Sequence, residues 1–496
     1  MALINVYLAS LPCESINELK ENGINVPEYS TQLSFNYPIY LRGLDLNYLH
    51  RLTSCWVYNK YNEKASIHHP LQRAVSCIKK FGKKFSGRDD SLLSTNELNR
   101  IRGQILLICS KLLSLFLIRS PKLSLLRVKP KRNEVIFSLF DADLIYLSAT
   151  NNCLSYLTGL ECVDDHDMER IYNQLASSST NISRIMIYGN QNSKSLAKLI
   201  RVQRELQRLY LVNINHISPI IYWKSPGVGS ELRRKAFLIT KLKLESSCGC
   251  LEFLGDFINL EELSVRCLNK QPCYNNDQIT IKAPSLRNLK KLEFEYNHKY
   301  EIKFIADLIQ NTFKLRKVIV EGSRIFDTIN VSLLFESIIN SCPYLRNCSI
   351  PISVINPPLI TLFDSCRHLK RLCLFSIPSE APININYCDN FLFQILKSRP
   401  AKLHTLELIN CSFSVKVWEL FLRAQPFTNL KFVSYLWMKH NFQPSGEFLE
   451  VCSIYKHVGM LKEFGNIDLF RNWYVPEGRY FFSYNLIKFF KNFSHF

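Results

Sequence analysis

The sequence lacks the short motifs that carry most enzyme chemistry. It contains no His-Glu-x-x-His, no Gly-x-Ser-x-Gly and no Gly-x-x-x-x-Gly-Lys-Ser/Thr. Acidic residues are also scarce, with 42 Asp and Glu against 62 Lys and Arg, a net charge of +20. That balance excludes an acidic solvating chain and favours anionic partners without naming one. Glycine is sparse, 16 in 496 residues, and 47% of the chain is apolar, which excludes collagen-like and disordered classes. A chain this long divides into about three compact domains or forms one elongated repeat array.

Long apolar runs are missing too. The longest, Ile105 to Ile118, carries Lys111 and is too short to span a bilayer, so it reads as a buried helix. Met1 to Leu11 is apolar but has neither a basic start nor an A-x-A cleavage site, so no secretory leader is expected. Cysteine is plentiful at 17, yet no Cys-x-x-Cys occurs, and most cysteines (Cys109 and Cys373 among them) sit in apolar runs. Such cysteines behave as small buried hydrophobes in a reducing compartment. The sequons at Asn181, Asn330, Asn347, Asn410 and Asn492 point the other way, but tripeptides of this kind arise by chance. The expectation is an intracellular protein, cytoplasmic or nuclear, with no membrane partner.

What the sequence does have is a repeat. The pattern L-x-x-L-x-L, with other apolar residues at some places, starts at Leu123, Leu157, Ile182, Leu206, Ile239, Leu260, Leu289, Leu315, Leu345, Leu369, Leu403 and Leu430. The mean spacing is about 28 residues, within the leucine-rich-repeat range. In L-x-L the apolar side chains share one face of a short strand. Stretches with helical spacing lie between the strands, at 193–206, 301–313, 331–341 and 415–424. Such a unit cannot bury its own apolar face, so units stack. The expected fold is α/β, an irregular leucine-rich-repeat solenoid, with parallel strands on the concave face and helices on the convex face. The place that often holds Asn or Cys in such repeats is filled by Cys411 in one unit but by Ile214, Leu268, Ser353 or Ile377 elsewhere, so uneven curvature is expected.

Residues 1–115 read as a helical cap without repeats, with helices over 14–22, 44–61 and 71–84 broken by Pro27, Pro38 and Pro70. About twelve repeats fill 116–470, including a last helix over 446–457 and a last strand over 460–464. An aromatic-rich tail follows at 471–496. The segments INVYLASL, ELKENGINVP, LSFNYPIYLRGLDLNYL, LLSLFLIRSPKL, KSLAKLIRVQRELQRLYL, FINLEELSV, SCPYLRNCSI and YKHVGMLKEFG stand in this order. On them the chain resembles the leucine-rich-repeat F-box proteins expanded in arbuscular mycorrhizal fungi, over roughly residues 3–465. That resemblance implies a substrate receptor of a cullin–RING ubiquitin ligase, with an F-box that docks on the Skp adaptor and repeats that hold the substrate. The F-box itself is expected to be absent from this chain. Leu11-Pro12-Cys13-Glu14 mimics its opening, but the next tryptophan is Trp56, too far along to close the module.

Several clusters read as structural. Asp164, Asp165, His166 and Asp167 fit a solvated loop capping a helix near Met168 better than a metal site. Gly227-Val228-Gly229 lacks a third glycine and fits a turn. Cys248, Cys250, Cys267 and Cys273 lack finger spacing, and His68-His69 beside Pro70 fits a loop. No cofactor or metal is expected, and no enzyme.

Residues 71–135 carry 15 Lys and Arg against 4 Asp and Glu, including Lys79, Lys80, Lys83, Lys84, Lys129, Lys131 and Arg132. This reads as a solvated basic face rather than a nucleic-acid site. The candidate partner-binding residues are outward strand positions: Arg184, Tyr188, Arg208, Tyr210, Lys241, Lys243, Arg266, Lys291 and Arg371, with Phe432 at the far end. Arg208, Tyr210, Lys241, Lys243 and Arg266 are expected to form one patch suited to an acidic segment of a partner protein. A repeat scaffold with no ligase link and a basic nucleic-acid binder are the alternatives.

Overall fold

The structure, a computed structural model, describes residues 2–26, 37–65, 95–128, 153–164, 168–189, 192–212, 226–246, 251–267, 283–296, 299–322, 328–352, 358–375, 385–398, 400, 402–409, 411, 413–424, 429–434, 446–457 and 461–466. Two compact units divide the chain, Met1–Lys241 and Leu242–Phe496.

In the first unit, helices α1 (Ala2–Ala9) and α2 (Cys13–Glu21) precede strand β1 (Gly43–Asp45). Then come α3 (Leu46–Ala65), α4 (Thr95–Arg119), β2 (Leu125–Arg127), β3 (Gly159–Val163), α5 (Glu169–Ser178), β4 (Arg184–Tyr188), α6 (Lys194–Val202), β5 (Arg208–Val212) and α7 (Val228–Lys235). Strands β1 to β5 pair in parallel, in chain order. The region expected to be free of repeats thus contributes a strand. Leu41-Arg42-Gly43-Leu44-Asp45-Leu46 carries the same six-residue pattern, and β1 covers the edge that β2 would otherwise leave open. The helix expected over 71–84 lies outside the described residues. Helix α4 is long and apolar enough to cross a membrane by length and composition alone. Its Ile105, Ile108, Leu112 and Leu113 are buried, and it packs against α3 as a core helix. The Tyr7 ring meets Phe116 edge-on, 4.8 Å between centroids. The F-box mimic is built into this core: Leu11 is buried, Pro12 caps α2, and Trp56 donates from its indole nitrogen to Asn5 Oδ1 at 2.6 Å.

In the second unit the strands are β6 (Lys241–Ser246, opening at the boundary), β7 (Glu262–Cys267), β8 (Lys291–Tyr296), β9 (Lys317–Gly322), β10 (Asn347–Pro351), β11 (Arg371–Phe375), β12 (Thr405–Ile409), β13 (Asn429–Ser434) and β14 (Leu461–Asn466). They too are ordered as in the chain. Helices α8 (Lys299–Gln310), α9 (Thr328–Ser341), α10 (Leu359–Ser365), α11 (Ile385–Ser398), α12 (Val415–Ala424) and α13 (Gly446–His457) alternate with them, each packed on the next. Ile302, Ile305 and Ile309 of α8, and Leu334, Phe335 and Ile338 of α9, are buried at helical spacing. Residues 467–496, which include the tail expected at 471–496, lie outside the described residues.

Backbone chemistry at one place in each unit of pattern sets the stacking. The carbonyl of the second residue accepts two N–H groups from the next strand's entry, using both lone pairs. Arg42 O takes Ser124 and Leu125 N–H, Ser124 O takes Thr158 and Gly159, and Thr158 O takes Ser183 and Arg184, all at 2.8–3.1 Å. In the second unit the series Glu261, Lys290, Arg316, Arg346, Lys370 repeats the arrangement at 2.7–3.1 Å. In the first unit the side chains of Ser124, Thr158 and Ser183 add a hydroxyl donor to the same carbonyl. In the second unit most of these places are cationic.

The inward pair of each strand forms the core. Leu209, Leu372 and Leu374 are fully buried, as expected. Leu211, next to last in β5, is only partly buried, which corrects the expectation for that residue. The last pattern start is corrected as well. Leu430 pairs with Leu406 and Phe432 with Leu408, so Leu430 holds the fourth place of its pattern, not the first. Phe432 accordingly stands in register with a buried leucine rather than with the outward residues.

Candidate partner-binding face

Alternation puts every second strand residue on one face of the strands, half-exposed along β4 and more closed along β3 and β11. Burial along β4 runs half-buried, buried, half-buried through Arg184, Ile185, Met186, Ile187 and Tyr188. Arg184, Tyr188 and Tyr210 are half-buried here, and Arg208 is exposed. In the second unit Lys243, Arg266, Lys291 and Arg371 occupy equivalent places, as does Lys241 at the boundary strand.

In the first unit one carboxylate organises the face. Glu161 on β3 is 3% exposed. Its Oε1 accepts from Arg127 Nε on β2 at 3.0 Å and stands 3.6 Å from Arg184 Nη2 on β4. The Arg184 guanidinium also lies over the Tyr210 ring on β5, 5.2 Å from its centroid. Tyr188 donates its hydroxyl to Met186 Sδ at 2.8 Å.

In the second unit the cations are matched by acids two residues along the same strand or on a neighbouring one. Lys243 pairs with Glu245 at 2.5 Å, Arg266 with Glu295 at 2.6 Å, Lys317 with Glu293 at 2.7 Å and Lys291 with Glu293 at 3.1 Å. Arg371 gives two bonds to buried Glu407 Oε1, at 2.6 and 3.2 Å. All of these groups except Glu245 and Lys291 line a depression of about 110 Å³ that also holds Glu321, Ser349 and Cys373. Burial, with Glu295 and Glu293 close by, pushes the Glu321 carboxyl up to about 7, against the pull of Arg266 and Lys317. Burial alone would raise Glu293 as well, but Lys317 and Lys291 hold it below the usual carboxylate value.

The expected patch of Arg208, Tyr210, Lys241, Lys243 and Arg266 therefore needs correction in its charge. Its residues divide between the two units, and Lys243 and Arg266 are already held by Glu245 and Glu295. Glu245 stands two residues beyond Lys243 on the same face of β6, whereas Glu295 meets Arg266 only through the register of β7 with β8. The face offers mixed, paired charge with aromatic anchors, not a cationic stripe.

The other clusters resolve as packing. Asp164 does not cap the helix after Met168, which has no side-chain cap. It is buried and accepts from Asn192 and Ser193 N–H, both at 2.8 Å, at the start of α6. Asn192 in turn accepts from Val228 N–H at 2.8 Å and donates to Pro226 O. Gly227, expected in a turn, has φ +106° and opens α7. Asp165, His166, Asp167, His68, His69, Cys248, Cys250 and Cys273 lie outside the described residues, as do Lys79, Lys80, Lys83, Lys84, Lys129, Lys131 and Arg132. Among the described residues no group of three or more His, Cys, Asp and Glu is placed to hold a metal ion. Cys109 and Cys373 are buried thiols, and burial pushes Cys109 up to about 12.

No family model matches the chain, and no curated protein matches it.

Proposed function

We propose that this chain is a non-enzymatic protein-recognition module built of leucine-rich repeats, which holds a partner protein on the open face of its strands. The observation that carries this reading is the regular grid of half-exposed Arg, Lys, Glu and Tyr side chains standing on a floor of fully buried leucines. Repeat arrays bind through such faces, and Arg and Tyr are frequent anchors there. Because the charges are paired in the free protein, a partner has to supply groups that replace those pairings, which favours selectivity over raw affinity.

The resemblance to fungal F-box proteins supports a narrower role, that of a substrate receptor which brings the bound protein to an SCF-type ubiquitin ligase through the Skp adaptor. This rests on the order of the sequence segments alone. Affinity capture from the native cell tests both parts. A partner held by the open face is lost when Tyr210→Ala and Lys243→Ala are combined, and retained when Lys83→Ala and Lys84→Ala are combined. Recovery of the Skp adaptor and a cullin with the full-length gene product supports the ligase role, and their absence removes it. Residues 1–120 by themselves are expected not to bind the adaptor.

A further inference from the structure

The turns that lead into the strands of the second unit carry a row of cations, three of which have no acidic partner among the described residues. Residues 286–290, 312–316, 342–346, 366–370 and 400–404 contain no Asp or Glu. Lys290, Arg316, Arg346 and Lys370 fill the same place in four successive turns, because the carbonyl of each takes the N–H of the next. Neighbouring strands are about 4.8 Å apart, so the four charges form a row about 15 Å long. Lys290 pairs with Glu261 at 2.5 Å. Arg316, Arg346 and Lys370 are exposed and have no acidic partner among the described residues.

The stacking does not require these charges. Ser124, Thr158 and Ser183 occupy the same place in the first unit and strengthen the carbonyl ladder with a hydroxyl bond. Like charges at this spacing repel, so the row costs stability rather than adding to it. Two aromatic rings stand in the same turns. Phe313 is 64% exposed and Tyr344 58% exposed. The Tyr344 ring is stacked with His368, 6.4 Å between centroids and 19° between planes.

We propose that this edge of the second unit binds a single-stranded nucleic acid, with the cation row following the phosphates and Phe313 and Tyr344 stacking on bases. Basic tracks interleaved with open rings bind single strands without strong sequence preference. An acidic peptide would be drawn to the same row, but it has no flat faces for the two rings. The proposal is separate from the open-face reading, since none of these residues lies on the open face.

The test uses the full chain and labelled oligouridylate and oligothymidylate of about 15 nucleotides, with binding followed by fluorescence anisotropy over a salt series. The triple variant Arg316→Glu, Arg346→Glu, Lys370→Glu is expected to bind at least about 100-fold more weakly, with a salt slope shallower by about 2. Phe313→Ala with Tyr344→Ala is expected to lose about 10-fold at unchanged slope. Lys83→Ala with Lys84→Ala leaves affinity within about twofold. Circular dichroism melts check that each variant folds; if the triple variant does not, Arg346→Gln alone reports the slope. Three results overturn the proposal. They are no binding by the native chain at low salt, no effect of removing the two rings, and loss confined to the Lys83, Lys84 variant. Polyglutamate binding as tightly as the oligonucleotides would assign the edge to acidic protein segments instead.

Discussion

The Arg184 guanidinium lies over the Tyr210 ring while its Nη2 stands 3.6 Å from Glu161 Oε1, so one side chain ties three adjacent strands together. Glu161 is nearly inaccessible and also accepts from Arg127. Glu161→Gln keeps the shape and removes the charge that both arginines face. It is expected to destabilise by about 1–3 kcal/mol, discounted because both arginines are about one-third exposed. Urea unfolding in low and high salt checks this, and a loss unchanged by salt would assign it to packing rather than charge.

Two glycines should respond with opposite signs. A Cβ at Gly227, where φ is +106°, would stand 2.8 Å from Asn192 Oδ1. Gly227→Ala is expected to cost about 1–3 kcal/mol. A Cβ at Gly103, inside α4, meets nothing within 4 Å, so Gly103→Ala is expected to add about 0.5–1 kcal/mol. Thermal melts of the two variants compare them directly.

Leu372→Ala empties a fully buried place between β10 and β12. A loss of about 2–5 kcal/mol is expected, from transfer and cavity terms together. Chemical denaturation measures it, and a loss under about 1 kcal/mol would mean the core is not packed there.

Glu321 sets a pH dependence. Its folded value, about 7, lies above that of an unfolded glutamate, so between the two the folded chain holds more protons. Stability from this group is therefore fullest below the unfolded value and declines as pH rises toward about 7. Glu321→Gln is expected to remove that decline and to stabilise the chain above about pH 7. Paired unfolding curves at acidic and alkaline pH give the sign.

Thiol labelling should separate the cysteines. Cys13 is exposed, whereas Cys109, Cys342, Cys348, Cys366 and Cys373 are buried with thiols pushed up by burial. Alkylation followed by peptide mass analysis is expected to modify Cys13 quickly and these five only after unfolding. Fast labelling of Cys348 in the native chain would contradict its place in the core.

Much of the strand framework is legible in the sequence because burial on one pleated face demands apolar residues two apart. Leu372 and Leu374 show that demand plainly. Leu41 to Leu46 shows it too, but about 80 residues separate it from the next copy, so periodicity passes it over. At the far end Leu430, Phe432 and Val433 fit more than one phase, and only pairing with β12 selects between them. The charge pairing on the open face is legible from one strand only where the partners stand two apart, as Lys243 and Glu245 or Lys291 and Glu293 do. Arg371 and Glu407 are 36 residues apart and meet only because β11 and β12 are in register. The same holds for Asp164, whose partners at Asn192 and Ser193 belong to the following unit of pattern.

The doubled carbonyl acceptor at each strand entry makes the units interchangeable in length. Pattern starts are spaced unevenly along the chain, yet the carbonyls from Arg42 to Gln207 in the first unit and from Glu261 to Lys370 in the second each reach two N–H groups at 2.7–3.1 Å whatever lies between. Insertions and deletions on the helical side therefore leave the grid of outward side chains undisturbed. A chain built this way can exchange, lengthen or duplicate units while its recognition surface changes one row at a time.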